Sequence, residues 1–356
     1  MTAGSGEFLQ LLGIDWPIIQ APMAGTSTPA MAAAVANAGG LGSIGVGAVN
    51  AAAAGRMIAE VREHSRRSLN VNVFCHRPAH ADAGIEDAWL ERLRPEFQRA
   101  GVLPPVAIGE IYRSFIADED MLVGLIAAQP KVVSFHFGLP AQERIWALRE
   151  AGIILLGSAT NLREARQIEA AGVHAVIAQG YEAGGHRGMF DPDAEDARLG
   201  TLALTRLLVR ELRVPVIAAG GIMDGAGIAA ALKLGAVAAQ LGTAFVGTEE
   251  SAADEGYRAA LFSNAANHTV MTRVISGRPA RCLSNRFTAL DADVPPGAVP
   301  PYPIAYDAGK ALNTAAKAAG EFGYGAQWAG QGAPLARRRS TAKLMAELVA
   351  ELRESS

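Results

Sequence analysis

Short apolar runs recur along the chain at 17–21, 41–46, 69–74, 132–137, 153–157, 175–179, 215–219 and 237–241. Most are continuous rather than alternating, the pattern of parallel strands covered on both faces. Stretches with helical spacing separate them, at 29–38, 51–66, 120–128, 141–151, 162–171, 202–212 and 225–234. Gly39, Gly152, Gly172 and Gly235 stand just past four of these stretches, where a left-handed residue ends a helix most readily. Asn161 stands where Leu162 needs an N-cap. Eight apolar runs alternating with helices predict the α/β class and, within it, a TIM (β/α)8 barrel.

Such a barrel needs roughly 250 residues, and the chain has 356. The pattern places the barrel in 1–250, with an insertion after the third strand at 76–119 that contains a helix near 84–99. Residues 251–356 read as a mostly helical C-terminal cap that packs on the barrel and binds substrate. This segment is Pro-rich at 294–303 and helical at 305–319 and 336–353.

Composition narrows the function classes. The chain is 50% hydrophobic and 19% charged, with a net charge of -3. That balance offers no broad cationic field for nucleic acid or an anionic membrane. The basic run Arg337-Arg338-Arg339 reads as a solvated helix start. Two cysteines, Cys75 and Cys282, make neither a disulfide framework nor a zinc site, and read as core thiols. Residues 1–10 lack a basic segment followed by an apolar run, and the Ala-rich stretch at 29–39 is too short to span a bilayer. A cytoplasmic enzyme is expected.

In this fold the chemistry sits at the C-terminal ends of the strands. The seventh run ends in Gly220-Gly221 and the eighth in Gly242-Thr243. Glycine-rich turns after these two strands commonly hold phosphate, because bare backbone amides can approach its oxygens. After the sixth run, His186 stands among the glycines of Gly180–Gly188. His136 closes the fourth run and points to the same cavity. Either imidazole can act as a base or donate to an anion. Asn70 and Asn72 interrupt the third run. His64, His76, His80, His174 and His268 read as structural or surface residues. No histidine pair has metal-ligand spacing on a helix, so no metal is expected.

Together these segments resemble the nitronate monooxygenase family, formerly called 2-nitropropane dioxygenases, in its bacterial-type class. The matching pieces are Pro17-Ile-Ile-Gln-Ala-Pro-Met23-Ala-Gly, Ser134-Phe-His-Phe-Gly-Leu-Pro140, Gln179-Gly-Tyr-Glu-Ala-Gly-Gly-His186-Arg-Gly, Pro215-Val-Ile-Ala-Ala-Gly-Gly-Ile222 and Gln240-Leu-Gly-Thr243-Ala-Phe. Pro301-Tyr-Pro-Ile-Ala-Tyr306-Asp-Ala-Gly-Lys310 and Trp328-Ala-Gly-Gln331 extend the likeness through the tail. The first, third and last barrel pieces are shared with flavin-dependent enoyl-acyl-carrier-protein reductases. They therefore point to the cofactor, while the Ser134–Pro140 run and the Tyr302/Tyr306/Lys310 tail point to the substrate.

The resemblance implies FMN as cofactor. It puts Ala21, Pro22 and Met23 under the flavin and Asn72 and Gln179 in hydrogen bonds to its ring or ribityl chain. Gly184 would approach the flavin closely, and Gly220, Gly221, Gln240, Leu241, Gly242 and Thr243 would hold the ribityl phosphate. His186 is implied at the reacting face as the catalytic residue, and His136, His186, Tyr302, Tyr306 and Lys310 in the substrate pocket. The implied reaction oxidises alkyl nitronates with O2, through one-electron flavin chemistry, to a carbonyl compound and nitrite. Propionate 3-nitronate is a candidate, its carboxylate suited to Lys310. A nitronate is an anion, and a histidine, two phenols and an ammonium supply donors where its charge lies. The alternative is an NAD(P)H-dependent enoyl or quinone reductase of the same superfamily. A barrel isomerase using the phosphate site and a non-catalytic flavin carrier stand further off. The chain leaves monomer and homodimer both open.

Overall fold

The computed structural model describes residues 3–355. Eight of the described strands lie where the eight apolar runs predict. They are β1 (Ile18–Gln20), β2 (Gly42–Gly45), β3 (Leu69–Phe74), β4 (Val132–His136), β5 (Ile154–Ala159), β6 (Ala175–Gln179), β8 (Val216–Ala219) and β9 (Ala238–Leu241). Three further strands, β7 (Gly185–His186), β10 (Thr269–Thr272) and β11 (Ala280–Leu283), form a small antiparallel sheet in the order β10-β11-β7. The large sheet is all parallel, in the order β1-β9-β8-β6-β5-β4-β3-β2. A bridge between Ile19 and Leu41 closes it into a barrel. Gln20 N–H donates to Leu41 O at 3.0 Å and Leu41 N–H to Ile18 O at 2.9 Å across that seam.

The helices end as the sequence predicts. Gly39, Gly152, Gly172 and Gly235 all have positive φ. Asn161 Oδ1 accepts from Glu164 N–H at 3.0 Å.

Side chains alternate across each strand, and the two faces divide the labour. Outward residues such as Val71, Val73, Val133 and Phe135 pack under the helices. Inward residues at the strand starts, among them Ile19, Val132, Ile154 and Ile217, form an apolar plug with Phe8, Leu9 and Leu12 of helix Ala3–Leu12. Inward residues near the strand ends turn polar: Asn72, Ser134, His136, Ser158, Gln179 and Gln240 all reach the cavity at the mouth. The plug closes one end, so ligands meet the barrel at the other.

The insertion and the tail together cover this mouth. Helix Ala83–Arg99 buries Trp89, Leu90, Leu93 and Phe97 against Ile304, Ala308, Leu312 and Ala316 of helix Ile304–Ala318. The last helix, Thr341–Glu354, lies elsewhere. Its Leu344, Met345, Leu348 and Leu352 pack with Val35 and Ile228 on the barrel's side. Its apolar face matches helices Pro29–Asn37 and Gly225–Lys233.

Candidate active site at the barrel mouth

A cavity of about 370 Å³ opens at the C-terminal ends of the strands. Of the residues singled out from the sequence, all but Leu241 line it. Leu241 turns its side chain away from it. Gln240 faces inward, so its neighbour faces outward, and the Leu241 side chain is buried among Met31, Val35 and Leu344. Its backbone carbonyl still accepts from Ala21 N–H at 2.8 Å, which ties the first turn to the eighth.

The glycine turns form a cradle of bare amides. Neither Gly221 nor Gly242 N–H has a hydrogen-bond partner among the described residues. A Cβ on Gly242 would stand 3.4 Å from Ala21 Cβ and 3.7 Å from Met23 Sδ, ordinary contacts at the cavity wall. Gly220 differs: its φ is +120°, and a Cβ there would meet Thr201 Oγ1 at 2.8 Å. Thr201 Oγ1 donates to Gly220 O at 2.9 Å, and Glu182 Oε2 accepts from Thr201 N–H at 2.8 Å. Thr243 Oγ1 accepts from Gly330 N–H at 3.0 Å, so the tail is stitched to the same cradle.

Gly184 has a local reason to be glycine. A Cβ there would lie 2.5 Å from Gly330 N, where the tail crosses the loop. Gln179 likewise has protein partners at both ends. Its Nε2 donates to His186 O at 3.0 Å, and its Oε1 accepts from Gly188 N–H at 2.7 Å. It clamps the histidine loop. Asn72 Nδ2 donates to Ser134 O and Oγ, each at 3.0 Å. By contrast, Gln240 Oε1 is buried with no partner among the described residues, and so is the Tyr302 hydroxyl. Buried polar atoms are rarely left unpaired, so both mark where a bound molecule completes the wall.

His186 lies on β7, held by pairing to Ala280 of β11. Its Nε2 is 2.9 Å from Ser276 Oγ. Its ring packs on Trp328, Tyr302, Phe137 and Tyr306 at centroid distances of 5.0, 5.3, 5.6 and 5.9 Å. Enclosure by protein, then His136 and Arg278, push its pKa down to about 3. Enclosure and then Arg278 push His136 down to about 4. Both imidazoles are neutral at neutral pH. Lys310 Nζ stands 4.8 Å over the Tyr112 ring and 5.4 Å over Tyr306, with no ion-pair partner among the described residues. Burial lowers its pKa first and the nearby Asp307 carboxylate raises it, so its positive charge at the cavity is partly compensated.

Sequence reasoning missed four residues around this constellation. Tyr112, from the insertion, lines the cavity. His76, read as structural or surface, is buried edge-on to Tyr302 at 5.0 Å. Ser276 is the hydrogen-bond partner of His186. Arg278 is buried with its guanidinium 4.2 Å from the Phe137 ring centre, and burial pushes its pKa down to about 10. Their segments carry no motif, and only the pairing of β11 with β7 brings Ser276 and Arg278 to the histidine.

Fold and site define a class: a barrel enzyme with a glycine cradle, an anion-accepting pocket and a cap over the mouth. The sequence model of the family described as Nitronate monooxygenase matches residues 7–351, and the chain belongs to that family. Among its relatives, a nitronate monooxygenase of Paraburkholderia phytofirmans is 63% identical, covering 99% of this chain and 96% of the other. One from Pseudomonas aeruginosa is 54% identical, covering 98% and 99%. A solved structure of nitroalkane oxidase from Streptomyces ansochromogenes is 40% identical, with a TM-score of 0.89 and 98% of each chain covered. FabK from Thermotoga maritima is more distant, at 29% identity and a TM-score of 0.74 over 98% and 96%. Membership implies a flavin, and the residues present fit one: two bare amides, the unpaired Gln240 Oε1 and the open wall at Gly242 all face the cavity.

Proposed function

We propose that the chain is an FMN-dependent nitronate monooxygenase, oxidising alkyl nitronates with O2 to a carbonyl compound and nitrite. One observation carries the substrate assignment: the unpaired Lys310 ammonium and the unpartnered Tyr302 hydroxyl share a cavity with the glycine cradle. Such donors suit an anion. The amides of Gly221 and Gly242 and the Thr243 hydroxyl would hold the cofactor's phosphate. Ala21, Pro22 and Met23 would support its ring, and Asn72 and Gln240 would meet its polar atoms. Bound FMN supplies the electron transfer between nitronate and O2.

The chain's own residues bind and orient the substrate. Tyr302 and Tyr306 donate to the nitro oxygens, and Lys310 attracts the anion or its carboxylate. Phe137, Trp328 and the tyrosine rings exclude water. His186 touches the reacting face but has little basicity, because its Nε2 is engaged by Ser276 and its pKa is low. It is therefore suited to an already ionised nitronate rather than to taking a carbon-bound proton from a neutral nitroalkane. Ethyl nitronate should be turned over at least about a hundredfold faster than nitroethane at pH 7, the range a general base contributes. Equal rates would give His186 the base role.

The cofactor and reaction are tested by mixing the purified protein anaerobically with propionate 3-nitronate, and separately with NADPH and NADH. Loss of the oxidised flavin spectrum with nitronate alone is expected. Reduction only by a nicotinamide nucleotide would make the protein a reductase. Among the described residues no helix is long and apolar enough to cross a membrane, and a cytoplasmic location is part of the proposal.

A further inference from the structure

Behind the aromatic wall of the substrate pocket stands a buried cation. Arg278 is 3% exposed and stops short of the cavity, and Phe137, which lines the cavity, lies between. The guanidinium is 4.2 Å from the Phe137 ring centre, and that ring is 5.4 Å from Tyr302 and 5.6 Å from His186. The charge therefore lies within about 10 Å of the reacting face, across one ring, in surroundings that screen it weakly.

Its fixed contacts leave that charge without a close counter-ion. One terminal nitrogen donates to Met189 O, and Nε has no partner among the described residues. Glu164 and Asp193 act on it from beyond ion-pair distance, and both carboxylates are engaged elsewhere. Glu164 accepts from Thr160 N–H at 2.7 Å, Thr160 Oγ1 at 2.8 Å and Phe190 N–H at 3.1 Å. Asp193 pairs with Arg273 at 2.7 Å. Burial pushes the guanidinium down only to about 10, so it is charged at neutral pH. Buried charges normally have a partner, and an anion in the pocket supplies one. Holding the histidine loop through Met189 O needs only a donor, which a neutral amide would also provide.

The charge reaches the groups that face the substrate. Burial, Tyr112 and Tyr306 push the Tyr302 hydroxyl up, and Arg278 pulls it back, which strengthens it as a donor. After burial, Arg278 also helps keep His136 and His186 neutral.

We propose that Arg278 is a further specificity-determining residue, acting through Phe137 and Tyr302 to select the anionic nitronate over the neutral nitroalkane that differs from it by one proton. It does not line the cavity, so it is a positioning residue. This inference rests on the nitronate reading above and names a determinant of substrate class within it.

The test measures ligand binding to the holoenzyme through the flavin spectrum. The probes are nitrate, a planar oxyanion, and nitroethane, which is neutral. The same proteins are assayed for kcat/KM on ethyl nitronate by nitrite release. Arg278→Met should weaken nitrate and lower the nitronate kcat/KM at least about fivefold, with nitroethane binding within about twofold of wild type. Arg278→Lys keeps the charge and should hold nitrate within about threefold. Arg278→Gln keeps a donor for Met189 O without the charge. It should behave as Arg278→Met does, and it stands in for that variant if Arg278→Met fails to fold.

Equal weakening of nitrate and nitroethane would make Arg278 a purely structural residue and overturn the proposal. Unchanged nitrate binding in the neutral variants would overturn it as well. So would a lysine variant as weak as the neutral ones, because the planar fork and not the charge would then matter. Loss of flavin from all three variants would assign Arg278 to the cofactor and overturn it too. If the wild type releases no nitrite even from ethyl nitronate, the underlying nitronate reading has failed instead.

Discussion

The histidine cluster is the feature with the clearest consequence for single residues. His76, His136 and His186 are pushed down to about 4, 4 and 3, each by burial first. A histidine whose folded pKa is depressed binds its proton better when unfolded. The unfolded state then holds more protons between pH 6.5 and those folded values, so stability rises with pH across that window. It is fully present above the ordinary histidine range and lost as pH falls toward 4. The holoenzyme's thermal midpoint should therefore drop between pH 7 and pH 5, and His76→Phe, which removes one such group, should flatten the drop. An identical slope in that variant would count against burial of His76 as its cause. Ser276 belongs to the same scale. It acts through His186 by fixing the ring at 2.9 Å, so it is a positioning residue. Ser276→Ala should lower kcat by roughly tenfold with KM little changed, a fraction of what a whole acid–base group contributes, and Ser276→Thr should restore most of it. Loss confined to KM would give Ser276 a binding role instead.

At the scale of elements, the two glycine turns make separable predictions. Gly242→Ala meets only ordinary contacts, and its φ of -108° suits any residue. The protein should fold with a near-normal melting midpoint but retain much less flavin, because the methyl group enters the cradle. Gly220→Ala is strained at φ +120° and crowds Thr201. It should destabilise the fold by about 1–3 kcal/mol, whatever happens to flavin. Flavin content and melting midpoint of the two purified variants check both. The contrast also shows what was legible in the chain. All eight barrel strands could be read, since apolar runs between helical patterns have few other solutions. Side chains at their ends followed from the fold. Period-two alternation turns the Leu241 side chain away from the barrel interior, a detail the turn motif alone does not carry. Strands β7, β10 and β11 were invisible: they are two to four residues long and gain their pairing from distant partners. Ser276 and Arg278 ride on that pairing, so no local pattern announced them.

At the scale of the whole molecule, the question is how the C-terminal hundred residues divide. Reading them as one cap predicts that a chain ending near residue 250 folds as a flavin-binding barrel. The packing argues otherwise. Helix Thr341–Glu354 buries Leu344, Met345, Leu348 and Leu352 against the helices flanking β9 and β1. Arg337 reaches Glu347 and Glu351, Arg339 reaches Glu347, and Glu351 accepts from Gly225 N–H at 2.9 Å. Burying each of four large apolar side chains stabilises by about 1.5–3 kcal/mol, and the four together approach the 5–15 kcal/mol that typically holds a domain folded. Removing residues 341–356 while keeping the whole substrate-facing segment should therefore abolish cooperative unfolding or leave an insoluble chain. Four substitutions to Ser at those positions should do the same. The opposite experiment disturbs only the cap: Trp89→Ala in the insertion loosens its packing on helix Ile304–Ala318. That variant should keep its flavin and a cooperative melt, while KM for nitronate rises. If the shortened chain melts cooperatively with flavin bound, the last helix is an ornament of the cap. If it does not, the barrel is completed only by the end of the chain, and the substrate-facing segment is an insertion between the eighth barrel strand and its helix.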